Sequence, residues 1–190
     1  MTRMLIIGPP GSGKGTQAER ICAELGIVAI STGDIFRANV KGGTPLGVEA
    51  KKYMDNGDFV PDSVTNRMVR DRLAQDDVAQ GFLLDGYPRT TAQVDELDDI
   101  LATAGVELGT VVQLTADDEE LVKRLLGRAQ ETGRSDDTEK VIRHRLDLYR
   151  EQTEIVLARY AERGILVKVD GLGDIDEVTS RVMDAIKKTA

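Results

Sequence analysis

Residues 4–17 read Met-Leu-Ile-Ile-Gly-Pro-Pro-Gly-Ser-Gly-Lys-Gly-Thr-Gln, and this stretch limits the fold more than any other. Met4 to Ile7 form a short apolar run of the kind a buried strand uses. The run breaks into a glycine-rich loop from Gly8 to Gly13, and Lys14 and Thr16 open an amphipathic pattern with helical spacing. Glycines let consecutive backbone N–H groups turn toward one anion, and a helix N-terminus adds partial positive charge at the same point. Lys14 supplies a mobile ammonium and Thr16 a hydroxyl, so strand, loop and helix together predict a phosphate-binding loop. Gly15 stands where the general pattern has serine or threonine, and the hydroxyl follows one residue later.

The rest of the chain fits a parallel α/β domain. Near-continuous apolar runs at Arg3–Ile7, Ile27–Ile30, Phe82–Asp85, Thr110–Leu114 and Ile165–Val169 predict strands covered on both faces. Helical patterns alternate with them, which implies right-handed crossovers on both sides of a sheet. Ala18, Ile21, Cys22 and Leu25 give the first helix a core stripe, and Gly26 ends it. Asp117–Gln130 predicts a helix capped by Thr115, with Leu121, Val122, Leu125 and Leu126 facing inward. A long helix is expected from about 137 to 163, and a last one after a capping-box-like Asp174-x-x-Glu177. From Thr32 to about Asp76 come broken helical segments without a strand, which predicts a helical insertion, and Ala129–Ser135 reads as a mobile loop.

At 190 residues the chain suits one domain, and 41% hydrophobic with 31% charged residues is ordinary for a globular protein. No apolar run approaches membrane-spanning length, the N-terminus shows no signal pattern, and a lone cysteine excludes an internal disulfide; a cytoplasmic protein is expected. A net charge of −8 argues against nucleic acid as a partner. It leaves open a small polyanion met by locally gathered arginines.

Those arginines lie in recognisable places. Gly81-Phe-Leu-Leu-Asp85 is a strand ending in a carboxylate. If it neighbours the first strand, Asp85 lies beside Lys14 and Thr16 and can hold Mg²⁺, directly or through water. Gly86-Tyr-Pro-Arg89 follows at once and fixes Arg89 on the turn where phosphates are expected. Arg124 and Arg128 share one helical face, and Arg134 stands in the loop. Val141, Arg145 and Tyr149 fall on one stripe, so Arg145 is directed inward and must meet an anion. Cys22, Tyr149 and Tyr160 read as packing residues and His144 as solvated surface. No Cys/His cluster has metal-ligand spacing.

With these motifs the chain resembles the adenylate kinases among the nucleoside monophosphate kinases. The resemblance rests on Gly8–Gln17, Ile30–Arg37, Gly57–Asp62, Gly81–Thr90, Arg124-x3-Arg128, Arg134-x-Asp-Asp137 and Arg143-x-Arg145. It implies a P-loop NTPase-type three-layer α/β/α fold on a five-stranded parallel sheet. The implied core is 1–30, 61–126 and 138–190, with an AMP-binding insertion at 31–60 and a short lid at 127–137. It further implies ATP and AMP as substrates, Mg²⁺ arriving with ATP, no structural zinc and a monomeric protein. ATP phosphates would meet Gly11, Ser12, Gly13, Lys14, Gly15, Thr16 and Arg128, with adenine near Gly173. The AMP site would comprise Thr32, Arg37, Asp58, Phe59, Val60, Gly86, Tyr87, Pro88, Arg89, Gln93, Arg134 and Arg145. Lys14, Asp85, Arg89, Arg124, Arg128, Arg134 and Arg145 would serve the transfer step.

Overall fold

The sheet runs β2-β3-β1-β4-β5 with every neighbouring pair parallel, as seen in a computed structural model that describes residues 1–134 and 136–188. Its strands are β1 Thr2–Ile7, β2 Val28–Ser31, β3 Gly81–Asp85, β4 Thr110–Thr115 and β5 Leu166–Asp170. All five expected apolar runs became strands, each shifted by no more than a residue at either end. The helices are α1 Lys14–Leu25, α2 Thr32–Gly42, α3 Pro45–Met54, α4 Asp62–Leu73, α5 Thr91–Thr103, α6 Asp118–Thr132, α7 Glu139–Leu148, α8 Glu154–Glu162 and α9 Ile175–Lys187.

Alternation along β1 divides the core. Met4 and Ile6 face α1 and α9 with Ile21, Cys22, Val178 and Val182, while Leu5 and Ile7 face α4, α5 and α8 with Val69, Leu97, Val156 and Tyr160. Both layers are closed, which is why the strands are apolar on both sides. A third cluster joins Leu121 and Leu125 of α6 to Ile142 and Leu146 of α7. Among the described residues no helix is long and apolar enough to cross a membrane.

Four local expectations need correction. Helix α6 is capped by Asp117, whose side chain accepts from the Glu120 N–H at 3.0 Å. Thr115 instead ends β4 and donates to the Val169 carbonyl at 3.4 Å. Leu126 lies outside the core, 36% exposed, because the shared face of α6 and α7 takes only Leu121, Val122 and Leu125. The expected loop at 129–135 is mostly helix: α6 continues to Thr132 and ends at Gly133 in the left-handed conformation, and Ser135 lies outside the described residues. Finally, the long helix is not regular. A π-helical turn, Tyr149–Thr153, separates α7 from α8.

Candidate active site

In the expected phosphate loop, Gly8–Gly13, the Ser12 N–H donates to the Pro9 carbonyl at 3.2 Å, and the helix that follows starts without a side-chain cap. Gly13, at φ 94°, caps α1 without any side chain bonded to the helix, and the first turn holds no acidic residue. By contrast α6 closes its own N-terminus with Asp117 and carries Asp118, Glu119 and Glu120 in the first turn. An end left uncapped and free of carboxylates suits an anion from outside. Gly8 must lack a side chain, since a Cβ there would lie 2.8 Å from both the Leu114 carbonyl and Ser12 Oγ. Lys14 folds back over the loop and donates from Nζ to the Pro9 carbonyl at 3.1 Å.

Because β3 pairs directly with β1, placing Ile6 opposite Asp85, the carboxylate emerges beside the loop as the sequence required. The open side of Gly15 faces Asp85, and a Cβ there would be 3.9 Å from Oδ2. Asp85 is only 9% exposed. Burial raises its carboxyl pKa, with Lys14 and Arg89 pulling the other way.

Arg89 is held without a carboxylate. Its Nε donates to the Gly86 carbonyl at 2.8 Å and its guanidinium lies 5.3 Å from the Phe59 ring centre. Gly86, at φ 81°, makes this possible, because a Cβ would sit 3.0 Å from Arg89 Nη2 and 2.8 Å from Thr32 Oγ1. Thr153, in the π-helical turn, donates to the Arg89 carbonyl at 3.1 Å and fixes the backbone from the far side. Burial and the nearby Arg145 lower the Arg89 pKa to about 10.

Around a single cleft the fold gathers Lys14, Thr32, Arg37, Asp58, Phe59, Val60, Gly86, Tyr87, Pro88, Arg89, Gln93 and Arg145. Arg134 stands apart and lines a neighbouring recess with Arg37, Lys41 and Asp136. The anion required by Arg145 comes from the protein itself, from Asp136 at 3.2 Å and Asp137 at 3.1 Å. Asp137, its side chain fully buried, also takes both nitrogens of Arg128 at 2.6 Å. Spacing alone did not single out these two carboxylates as counter-ions. They entered the sequence analysis only as part of the Arg134-x-Asp-Asp137 motif, with no role as counter-ions. Arg124 bonds Glu120 at 3.1 Å and the Gly171 carbonyl at 3.2 Å. That places it behind the phosphate loop, since a Cβ on Gly171 would be 3.0 Å from the Ser12 carbonyl. Gly173, at φ 111°, follows in the same loop.

Burial pushes the Cys22 thiol up to about 11, consistent with its packing role. His144 is exposed as expected, yet its Nε2 lies 2.6 Å from Asp58 Oδ1 and so ties α7 to the segment after α3. Tyr160 packs in the core, whereas Tyr149 both packs and lines the cleft.

The pKa of Lys14 falls to about 8 through burial, then through Arg89, Arg145 and Arg128, against the attraction of Asp85. The folded chain therefore holds fewer protons than the unfolded one between about 8 and 10.5. Keeping Lys14 charged costs stability fully below that window and costs nothing above it. A bound polyphosphate would reverse the balance, so binding of inorganic triphosphate at pH 8.5 is expected to take up a proton. Calorimetry in two buffers of different ionisation enthalpy measures this directly, and the uptake should vanish in Lys14→Gln. Equal heats in both buffers for the unmutated protein would refute it.

The sequence pattern of the adenylate kinases matches residues 6–165. A protein named adenylate kinase from Pseudarthrobacter chlorophenolicus is 81% identical over 187 residues, covering 98% of this chain and 97% of that one. The protein of that name from Renibacterium salmoninarum is 76% identical over 186 residues, 98% of this chain and 96% of its own. The one from Kocuria rhizophila is 68% identical over 188 residues, 99% of this chain and all of its own length.

Proposed function

The chain belongs to the adenylate kinase family, and from that premise we propose how its residues carry phosphoryl transfer from ATP to AMP. The observation that carries the reading is the gathering of Lys14, Arg37, Arg89 and Arg145 on one cleft in a protein of net charge −8; burial first, and then Arg89, Arg145 and Arg128, lower the pKa of Lys14 there. Asp136 and Asp137 pair Arg145 and Arg128, and Asp85 attracts Lys14, but Arg89 has no carboxylate partner among the described residues, so a bound polyanion would offset a cost that the empty protein carries.

An oxygen of the AMP phosphate attacks the γ-phosphorus of ATP; that O–P bond forms as the bond to the β-phosphate oxygen breaks, leaving two ADP. The acceptor needs no protein base, since a phosphomonoester loses its second proton with a pKa of about 6. The protein's work is to hold two polyanions in line and to neutralise the charge between them. Gly11, Ser12, Gly13, Lys14, Gly15 and Thr16 bind the donor phosphates, with Arg124 and Arg128 beside them and the donor base near Gly173. Thr32, Arg37, Asp58, Phe59, Val60, Gly86, Tyr87, Pro88, Arg89 and Gln93 surround the acceptor, with Arg145 of α7 on the cleft wall and Arg134 reaching it from the lid.

Asp85 fits a divalent cation: it is a hard oxygen donor, buried beside the open face of Gly15, and among the described residues no cation is bonded to its carboxyl. Mg²⁺ bound with ATP would neutralise phosphate charge there. In this reading the chain acts as a monomer on free ATP and AMP in the cytoplasm, as the family resemblance implies.

Turnover with AMP, UMP, CMP and GMP as acceptors, ATP being the donor, tests the assignment. AMP is expected to be fastest by at least about tenfold, the discrimination that one good bidentate base contact supplies. A pyrimidine monophosphate turning over fastest would place the chain's specificity elsewhere.

A further inference from the structure

Gln93 is 2% exposed and lines the cleft, and three hydrogen bonds settle which way its amide faces. The Arg89 backbone N–H donates to Gln93 Oε1 at 2.7 Å. Gln93 Nε2 donates to Asp62 Oδ1 at 2.8 Å. The same Asp62 oxygen accepts from Thr90 Oγ1 at 3.1 Å, while Thr90 Oγ1 accepts from the Gln93 backbone N–H at 3.2 Å. A backbone N–H can only donate and an ionised carboxylate can only accept. Turning the amide over would set donor against donor at Arg89 and acceptor against acceptor at Asp62. Asp62 is fixed in its turn as the first residue of α4, directly after Pro61.

We propose that Asp62 is a specificity-determining positioning residue: it locks the sense of the Gln93 amide and so decides which base edge the acceptor site reads. This rests on the reading above in which Gln93 faces the acceptor base. With the amide locked, one Nε2 hydrogen and one Oε1 lone pair remain for the cleft. Adenine offers an acceptor (N1) beside a donor (the 6-amino group), which this amide complements. Guanine offers a donor (N1–H) beside an acceptor (O6), which requires the opposite sense. The ribose phosphate is anchored by the arginines, so the base cannot invert to compensate. A freely turning amide would serve both bases; a locked one rejects guanine by leaving buried polar groups unpaired.

The test compares the unmutated protein with Asp62→Ala, Asp62→Asn and Gln93→Ala, measuring kcat and KM for AMP, GMP and ATP. In Asp62→Ala the AMP:GMP ratio of kcat/KM is expected to narrow by about tenfold, mainly through KM for AMP, with KM for ATP within about twofold. Asp62→Asn keeps an acceptor oxygen and should recover most of the ratio, a rescue that a general loss of folding would not show. If Gln93→Ala collapses selectivity while Asp62→Ala keeps it, the lock is wrong and the base-facing assignment stands. If Gln93→Ala also keeps selectivity, the assignment itself has failed. Should Asp62→Ala not fold, the Gln93 side-chain amide resonances of the unmutated protein decide. Slow solvent exchange of one Nε2 proton, the one donated to Asp62, supports the lock, and exchange of both at the rate of a solvated glutamine amide overturns it.

Discussion

Replacing Arg89 with lysine is expected to lower kcat by about 10²–10³-fold, the usual cost of removing one preorganised donor from a transferring group, while KM for ATP changes little. The Arg89 guanidinium bonds Gly86 through Nε and stacks near Phe59, which leaves its outer nitrogens directed at the cleft rather than at a carboxylate. Lysine keeps the charge but loses the planar fork, the stacking and the bond to Gly86. Stability should move the other way. In the empty protein the charge is buried beside Arg145, and both effects pull the Arg89 pKa down to about 10, so the charged side chain is there at a cost to folding. Arg89→Met should therefore be nearly inactive yet melt no lower than the unmutated protein. Single-turnover kinetics and a thermal melt on the same preparations check both halves. Near-normal turnover in Arg89→Lys would remove the residue from the transfer step, and a large fall in melting temperature for Arg89→Met would make it a structural group.

Most of the frame could be read in advance because parallel strands covered on both faces leave uninterrupted apolar runs, and because glycines mark the ends of α1 and α2. What escaped the reading was set by contacts between distant segments. Whether Arg145 met a ligand or a carboxylate depended on where residues 136 and 137 came to lie, and helical spacing carries no such information. The π-helical turn left no mark in the 3.6-residue pattern, though it delivers Thr153 to the Arg89 carbonyl. Thr90-x-x-Gln93 was a legible capping signal that went unused. Its Gln93 reaches one residue past the usual target, to the Arg89 N–H, and this joins helix capping to the base-reading amide. The family motif stopped at Asp62 without a role for it, since that role appears only when α4 and α5 are side by side.

Gly47→Ala is the substitution expected to injure the fold most while replacing none of the residues proposed to touch a nucleotide. Gly47 lies in the first turn of α3, pressed on the last turn of α2. A Cβ there would meet the Asn39 carbonyl oxygen at 2.1 Å, its carbon at 2.2 Å and the Val40 nitrogen at 2.5 Å. All three are backbone atoms, so no rotamer change relieves the clash and the helices must part. Parting them strains the corner, where Thr44 donates from its N–H to the Asn39 carbonyl at 3.2 Å and from Oγ1 to Asn39 Oδ1 at 2.7 Å. Overpacking against immobile atoms costs about 3 kcal/mol, which for a chain of this size lowers the melting temperature by about 6–12 °C. The damage should be directional. Helix α3 leads into Gly57, Asp58 and Phe59 on the cleft wall, so KM for AMP should rise by about tenfold or more, and KM for ATP, set by the loop after β1 and not by α2 or α3, should stay within about twofold. Gly127→Ala is the matched control, since a Cβ there meets nothing within 4 Å on α6, and helix propensity predicts a gain of up to about 1 kcal/mol. Equal melting temperatures for the two variants would show that α2 and α3 are not packed as described, and a parallel rise in both KM values would show that the strain is not confined to the acceptor side.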